Sequence, residues 1–283
     1  MKHILTVLYS LLFIAFTGCT TITVTEEFFL KPETPISSIR DYLAPGYSID
    51  EQYIKTSDNE KIFSVFLFHP EAKTTVIYFG GNGFKINRKG AEVAKHLAKQ
   101  KINILLTDYR GFGNSTGTPT IKKLYEDSLE IYEYVKSMKK THNTNLVIYG
   151  FSMGSFPATY AASKKSPGGL ILEAGATSAK AWVKESIPWI IRLFIRFKYD
   201  EAIAKVNNLE IIENVRVPVL FAVGKDDDVL PPKLSKKLYK AAGTDDSLKE
   251  FHILKGLEHG GLIKTDQYKE ILAGFLKKIE SGS

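Results

Sequence analysis

The 283-residue sequence predicts an α/β fold, with a mostly parallel central sheet and helices on both of its faces. Three observations carry this. From Thr75 onward, short apolar β-branched runs alternate with longer segments of helical spacing. Glycine-bearing turns follow several of those runs, most tellingly at Tyr149-Gly150-Phe151-Ser152-Met153-Gly154. The hydrophobic content of 44% is enough for a substantial core.

In chain order, Met1-Lys2-His3 is a short basic start, Ile4 to Phe16 is mostly apolar, and Thr17-Gly18 brings small residues ahead of Cys19. This is a secretory signal layout, too short for a comfortable transmembrane span. It resembles the lipobox of bacterial lipoproteins, with Phe16 where that group usually carries Leu. The resemblance implies a signal peptide over 1–18, a lipid on Cys19, and a membrane-anchored place in the bacterial cell envelope. An uncleaved anchor or a plain signal peptide is the competing reading. Cys19 is the single cysteine, which excludes an intrachain disulfide framework and a Cys-based zinc cluster. No metal site is expected. The charge of +7, from 38 basic and 31 acidic residues, is scattered without a Lys/Arg block or a basic run interleaved with aromatics. That pattern predicts no nucleic-acid partner. It fits an ordinary solvated surface, with attraction to an anionic membrane as the alternative.

Residues 19–50 carry Pro32, Pro35, Pro45 and Gly46 among Thr and Ser, and read as a tether and irregular lead-in to a domain over 51–283. Gln52 to Thr56 and Lys61 to His69, separated by Ser57-Asp58-Asn59-Glu60, predict an antiparallel opening pair. Strands are then expected at Thr75–Phe79, Ile102–Thr107, Leu146–Tyr149, Gly169–Leu172, Val217–Val223 and Glu250–Leu254. Helices are expected at Asn87–Gln100, Thr120–Lys139, after Ser152, at Pro231–Ala242 and at Asp266–Glu280. The segment from about 176 to 214 breaks this rhythm. Trp182-Val183 and Ile187-Pro188-Trp189-Ile190-Ile191-Arg192-Leu193-Phe194-Ile195-Arg196-Phe197 are helical in pattern and very apolar. Two placements fit: a helical cap over the strand C-terminal ends, contributing an apolar acyl pocket, or a core helix of the main domain.

Gly150-Phe151-Ser152-Met153-Gly154 is a Gly-x-Ser-x-Gly pattern between a strand and a helix, the setting of a nucleophile elbow. A serine hydroxyl near neutral pH needs a base, and that base needs a group to orient it. Both follow downstream, each just past a strand: Gly224-Lys225-Asp226-Asp227-Asp228-Val229-Leu230-Pro231, then Gly256-Leu257-Glu258-His259-Gly260-Gly261. Of six histidines, His3 lies in the signal, His69 and His252 in strands, and His96 and His142 on or beside surface helices. His259 alone occupies a glycine-flanked loop. Three adjacent aspartates compete to orient it, with Glu173 as a remote substitute. Upstream, Tyr78-Phe79-Gly80-Gly81-Asn82-Gly83 places glycines directly after a strand, where backbone N–H groups can be exposed as an oxyanion hole. A phosphate-binding loop is the rival reading, and it lacks the Lys-Ser/Thr or the full Gly-x-Gly-x-x-Gly.

Together with Asp108-Tyr109-Arg110-Gly111-Phe112-Gly113-Asn114-Ser115-Thr116-Gly117, these stretches resemble the α/β-hydrolases over roughly residues 60 to 280. The similar branch is the one holding the abhydrolase-domain lysophospholipases and depalmitoylases and the serine aminopeptidase family. The resemblance implies Ser152 as nucleophile, His259 as base and Asp227 as acid, the last from a pattern like Gly-x-x-Asp-x-Val-x-Pro. It also implies the backbone N–H groups of Asn82 and Met153 as oxyanion donors. Gly80 departs from the His common there, and the Asp108-Tyr109-Arg110 loop reads as structural. The implied activity is cofactor-free hydrolysis of a carboxylic ester or thioester with an apolar acyl part, on a small-molecule or lipid substrate, through an acyl-enzyme. A serine peptidase or amidase, and a catalytically silent hydrolase fold serving as an envelope binding protein, are the alternatives.

Overall fold

The computed structural model describes residues 20–26, 46–186 and 195–282. Ten strands are described: β1 (Thr20–Val24), β2 (Ser48–Lys55), β3 (Lys61–Phe68), β4 (Thr74–Phe79), β5 (Asn103–Thr107), β6 (Asn145–Phe151), β7 (Gly169–Glu173), β8 (Ile195–Tyr199), β9 (Val219–Gly224) and β10 (Lys249–Leu254). The helices are α1 (Ala91–Leu97), α2 (Ile121–Ser137), α3 (Ser155–Lys165), α4 (Ala179–Ser186), α5 (Glu201–Ala204), α6 (Asn208–Ile212), α7 (Pro232–Ala241) and α8 (Asp266–Ser281), with short 3-10 and π turns between them.

Eight strands form one sheet in the order β10-β9-β7-β6-β4-β5-β3-β2. The expected opening hairpin is present: β2 pairs antiparallel with β3, and β3 antiparallel with β5. Every pair from β5 to β10 is parallel. The apolar runs of β4, β5, β7 and β9 are buried along their whole length, as strands covered on both faces must be. Helices α2, α3 and α7 cover one face through residues such as Ile131, Val135, Phe156 and Leu238. α1 and α8 cover the other through Val93, Leu97, Leu272 and Phe275.

Helix ends follow local chemistry. Thr120 caps α2 by accepting from the Lys123 N–H at 3.1 Å, and Thr265 caps α8 by accepting from Tyr268 N–H at 3.2 Å. The chain leaves β4 toward β5 and returns from β5 across β4 to β6, so the strand order reverses at β4. The crevice at such a reversal is where open α/β sheets bind ligands. The loops after β4 and β6, which carry Asn82 and Ser152, both open there.

The helix expected over Asn87–Gln100 is present: the chain is helical from Ile86 to Gln100, opening as a π turn at Ile86–Gly90, continuing as α1 and ending in a 3-10 turn at Ala98–Gln100. Its start is anchored, since the buried Asp108 carboxylate takes the Ile86 N–H at 2.7 Å and Lys85 C=O accepts from both Arg88 and Lys89. One expectation changes. Within the lead-in over 19–50, Thr20–Val24 is a strand, β1, paired in parallel with β8. Its alternation seats Val24 in the core, 2% exposed, which a free tether could not do. The segment from about 176 to 214 holds α4, β8, α5 and α6. Residues 187–194 of the expected cap, and Cys19 with the expected signal peptide at 1–18, lie outside the described residues.

Candidate active site

The site begins with backbone strain directly after β6. Ser152 has φ +54°, a left-handed conformation that costs a non-glycine residue energy and that the flanking packing must enforce. The enforcement is steric: a Cβ on Gly154 would overlap the Phe79 carbonyl, and one on Gly150 would lie 2.6 Å from Ala158 Cβ and from the Gly154 carbonyl. Only glycine lets α3 approach β4 and β6 this closely. The sharp turn lifts Ser152 Oγ out at the C-terminal edge of the sheet.

β9 and β10 bring the partners. Asp226 N–H donates to Leu257 C=O at 3.1 Å and Lys225 N–H to Leu254 C=O at 2.7 Å, so the two loops are bonded together. His259 Nε2 lies 3.0 Å from Ser152 Oγ, and Nδ1 lies 2.8 Å from Asp227 Oδ2. With the Nδ1 proton facing the carboxylate, Nε2 offers its lone pair to the serine hydroxyl. Asp227 Oδ1 accepts from the N–H groups of Val229 at 3.0 Å and Leu230 at 2.7 Å, which fixes the carboxylate plane. Asp227 is 3% exposed, whereas Asp226 and Asp228 face solvent. Among the three adjacent aspartates, the one that faces His259 is therefore Asp227. The imidazole also rests on Phe151, ring centroids 5.0 Å apart.

The loop after β4 closes the other side. Tyr109 Oη donates to Gly80 C=O at 2.6 Å, tying this loop to the Asp108-Tyr109-Arg110 stretch. That stretch is itself built in: Asp108 also takes the Asn114 N–H at 3.1 Å, and burial pushes its carboxyl up to about 6, while Arg110 forks onto Asp58 and Asp127. Gly81 lies against the elbow, where a Cβ would come 3.3 Å from Ser152 Cβ. The departure at Gly80 has a steric reason, since a side chain there would run into the buried ring of Phe84. Asn82 and Met153 flank Ser152 in a small apolar recess of about 20 Å³ shared with Phe156, Ala176, Trp182 and Leu230. Met153 stands in the first turn after the elbow, where helical N–H groups have no partner within the helix.

A larger cavity of about 370 Å³ opens beside Ser152 and His259. Tyr78, Phe84, Val93, Phe151 and Ile263 give it an apolar wall, and Lys89, Glu92 and Lys264 stand at its rim, with Lys264 and Glu92 paired at 2.6 Å. Glu173 forms part of its lining. Glu173 is not bonded to His259 in place of Asp227. Its Oε2 accepts from Tyr149 Oη, which also meets Tyr268 Oη at 2.9 Å, and its Oε1 has no hydrogen-bond partner. Burial pushes this carboxyl up to about 7, against the opposing pull of Tyr149 and His259. Sequence reading gave Glu173 only a substitute's part and missed the Tyr149–Tyr268 pair. The available signal was a glutamate closing an otherwise apolar strand. Among the described residues, no group of three His, Cys, Asp or Glu side chains is placed to hold a metal ion, and no helix is long and apolar enough to cross a membrane.

Comparison with known proteins bears on the fold. Residues 70–205 match the family described as Serine aminopeptidase, S33. The chain is 27% identical over 233 residues to Protein bem46 of Schizosaccharomyces pombe, covering 79% of this chain and 75% of that one. It is 28% identical over 226 residues to the Lysophosphatidylserine lipase ABHD12 of Mus musculus, covering 72% of this chain and 56% of that one, so it spans little more than half that relative's length. Among solved structures, the Pyrococcus furiosus esterase Pf2001 superposes with a TM-score of 0.68 at 16% identity, covering 88% of this chain and 98% of that one. In architecture the chain has the α/β-hydrolase fold, and across its core it is similar to an esterase and a lysophosphatidylserine lipase.

Proposed function

We propose that this protein is a membrane-anchored serine hydrolase that cleaves carboxylic ester or thioester bonds of substrates with an apolar acyl part. The observation that supports this most is the hydrogen-bonded chain Ser152–His259–Asp227 opening on a cavity partly lined by Tyr78, Phe84, Val93, Phe151 and Ile263. In this reading His259 takes the Ser152 proton as Oγ attacks the carbonyl carbon, and Asp227 holds the tautomer and stabilises the imidazolium. The negative oxygen is held by the N–H groups of Asn82 and Met153, reinforced by the N-terminal end of α3. His259 then protonates the leaving oxygen or sulfur. Water, activated by the same imidazole, releases the acid from Ser152. No cofactor takes part. The names of relatives, a lysophosphatidylserine lipase and an esterase, favour an ester over an amide and a lipid over a peptide.

The segment from about 176 to 214 acts as a cap in this reading, and Trp182 in the recess beside Ser152 supports that part. A lipid on Cys19 holds the protein in the bacterial envelope. Turnover of p-nitrophenyl esters of increasing acyl length, compared with aminoacyl p-nitroanilides, tests the proposal. Ester turnover that disappears in Ser152→Ala agrees with it, and turnover of the anilides alone would assign a peptidase instead. A folded protein inert on every member of the panel would support a binding module.

A further inference from the structure

The ribbon β1–β8 takes no part in the chemistry above. Its register sets Thr21 beside Arg196 and Thr23 beside Lys198, and all four are exposed. The alternate residues turn inward: Val24 is in the core, and Phe197 and Tyr199 pack against it. Among the described residues, one face of the ribbon is thus uncovered and cationic. Beside the ribbon, α4 carries exposed Lys180 and Lys184, the Lys180 ammonium 5.9 Å from the Tyr199 ring centroid. Nearby carboxylates are engaged elsewhere. Asp200 takes the N–H groups of Ile203 and Glu26, Glu26 takes that of Ile121, Glu201 holds Lys205 and Glu185 holds Lys233. Among the described residues, no carboxylate pairs with Lys184, Arg196 or Lys198.

Two further observations say what covers this face. First, Thr20 stands opposite Ile195 and directly follows residues 1–19, whose Ile4 to Phe16 run is apolar. A membrane attachment through that segment, by a lipid on Cys19 or by the apolar run itself, meets the folded domain at the ribbon. Second, Trp182, on the same helix as Lys180 and Lys184, lines the cavity beside Ser152. We infer that Lys180, Lys184, Arg196 and Lys198 form a docking face for anionic phospholipid headgroups, which turns the mouth of the catalytic cavity to the bilayer so that substrate is taken from the membrane. This rests on the reading of the chain as a membrane-anchored ester hydrolase. A terminal anchor fixes the distance to the bilayer but not the orientation. Charges supply the orientation, each worth about 1 kcal/mol, or roughly five-fold, near an anionic surface.

The test uses the full chain reconstituted on phosphatidylcholine vesicles with or without phosphatidylglycerol. Two substrates are compared, a long-chain umbelliferyl ester dissolved in the bilayer and umbelliferyl acetate in water. Phosphatidylglycerol should accelerate the bilayer ester only. Arg196→Gln/Lys198→Gln should lose about twenty-fold of that rate, and Lys180→Gln/Lys184→Gln a similar share, with acetate turnover unchanged. In parallel, photoreactive phosphatidylglycerol should cross-link to peptides from α4 and β8, a readout that needs no activity. Cross-links on another face, or both double variants keeping the wild-type rate on the bilayer ester, would overturn the inference. An enzyme that cross-links as expected but turns over neither ester would instead remove the hydrolase reading, and one that fails to sediment with vesicles would remove the anchor.

Discussion

Replacing Glu173 with Gln should change how stability depends on pH, and the structure gives the size of the change. The Glu173 carboxyl is 2% exposed, Oε1 is unpartnered, and burial moves it from its ordinary 4.5 to about 7. The folded protein therefore binds this proton more tightly than the unfolded chain. Between those two values folding takes up a proton, so stability is highest below about 4.5 and falls as pH rises toward 7. At 1.36 kcal/mol per pKa unit, the fall attributable to Glu173 is about 3 kcal/mol. Gln keeps an acceptor for Tyr149 Oη and cannot ionise. Its amide places an unpaired donor where Oε1 was, a cost of about 1–3 kcal/mol that does not vary with pH. Urea unfolding at pH 5 and pH 7.5 separates the two contributions. The variant should lose about 2 kcal/mol less than the wild type between those conditions, since part of the fall is already complete at pH 5. A difference between the two proteins that stays constant across pH would refute the argument, because it would mean that Glu173 titrates alike in the folded and unfolded chain.

Asp227→Asn should lower kcat by up to about 10⁴ at an unchanged melting temperature, whereas Asp226→Asn and Asp228→Asn, on exposed side chains, should change it little; steady-state kinetics on a short-chain ester reads this. Gly80→Ala should destabilise the fold by about 1–3 kcal/mol, because its Cβ collides with Phe84, and should slow turnover by displacing the loop that carries Asn82; thermal melts and kcat together read both effects. Cys19→Ser should release the protein from bacterial membranes or leave it unprocessed, since the anchor needs its acyl chains, and intact-mass analysis of the membrane fraction decides it.

Most of the sheet was legible because its strands are short apolar runs buried on both faces. β4, β5, β7 and β9 each stand out against polar helices with a different period. The convergence of Ser152, Asp227 and His259 has a related reason: each follows a parallel strand of the one sheet, and parallel strands deliver their C-terminal loops to one edge. β1 was not legible. Thr20–Val24 is polar on one side and pairs with β8, far away in the chain, so nothing local announces it. The π turn that opens the helix before β5 was hidden too, since its start is anchored by Asp108 reaching back to the Ile86 N–H. Glu173 shows the same limit: its position in the sequence was plain, but its burial against Tyr149 and Tyr268 belongs to the packing of α8 on the sheet.

Ser152, held at φ +54° and hydrogen-bonded to His259 at 3.0 Å, is the proposed nucleophile. Fluorophosphonate labelling followed by peptide mapping tests it most directly, because the reagent reports a serine activated by its own base, independent of the substrate. One adduct is expected, on the peptide carrying Ser152. It should be absent from Ser152→Ala, and its formation should be slowed by orders of magnitude in His259→Ala, with both variants folded. An adduct on another serine, or unchanged labelling of Ser152 in His259→Ala, would contradict it.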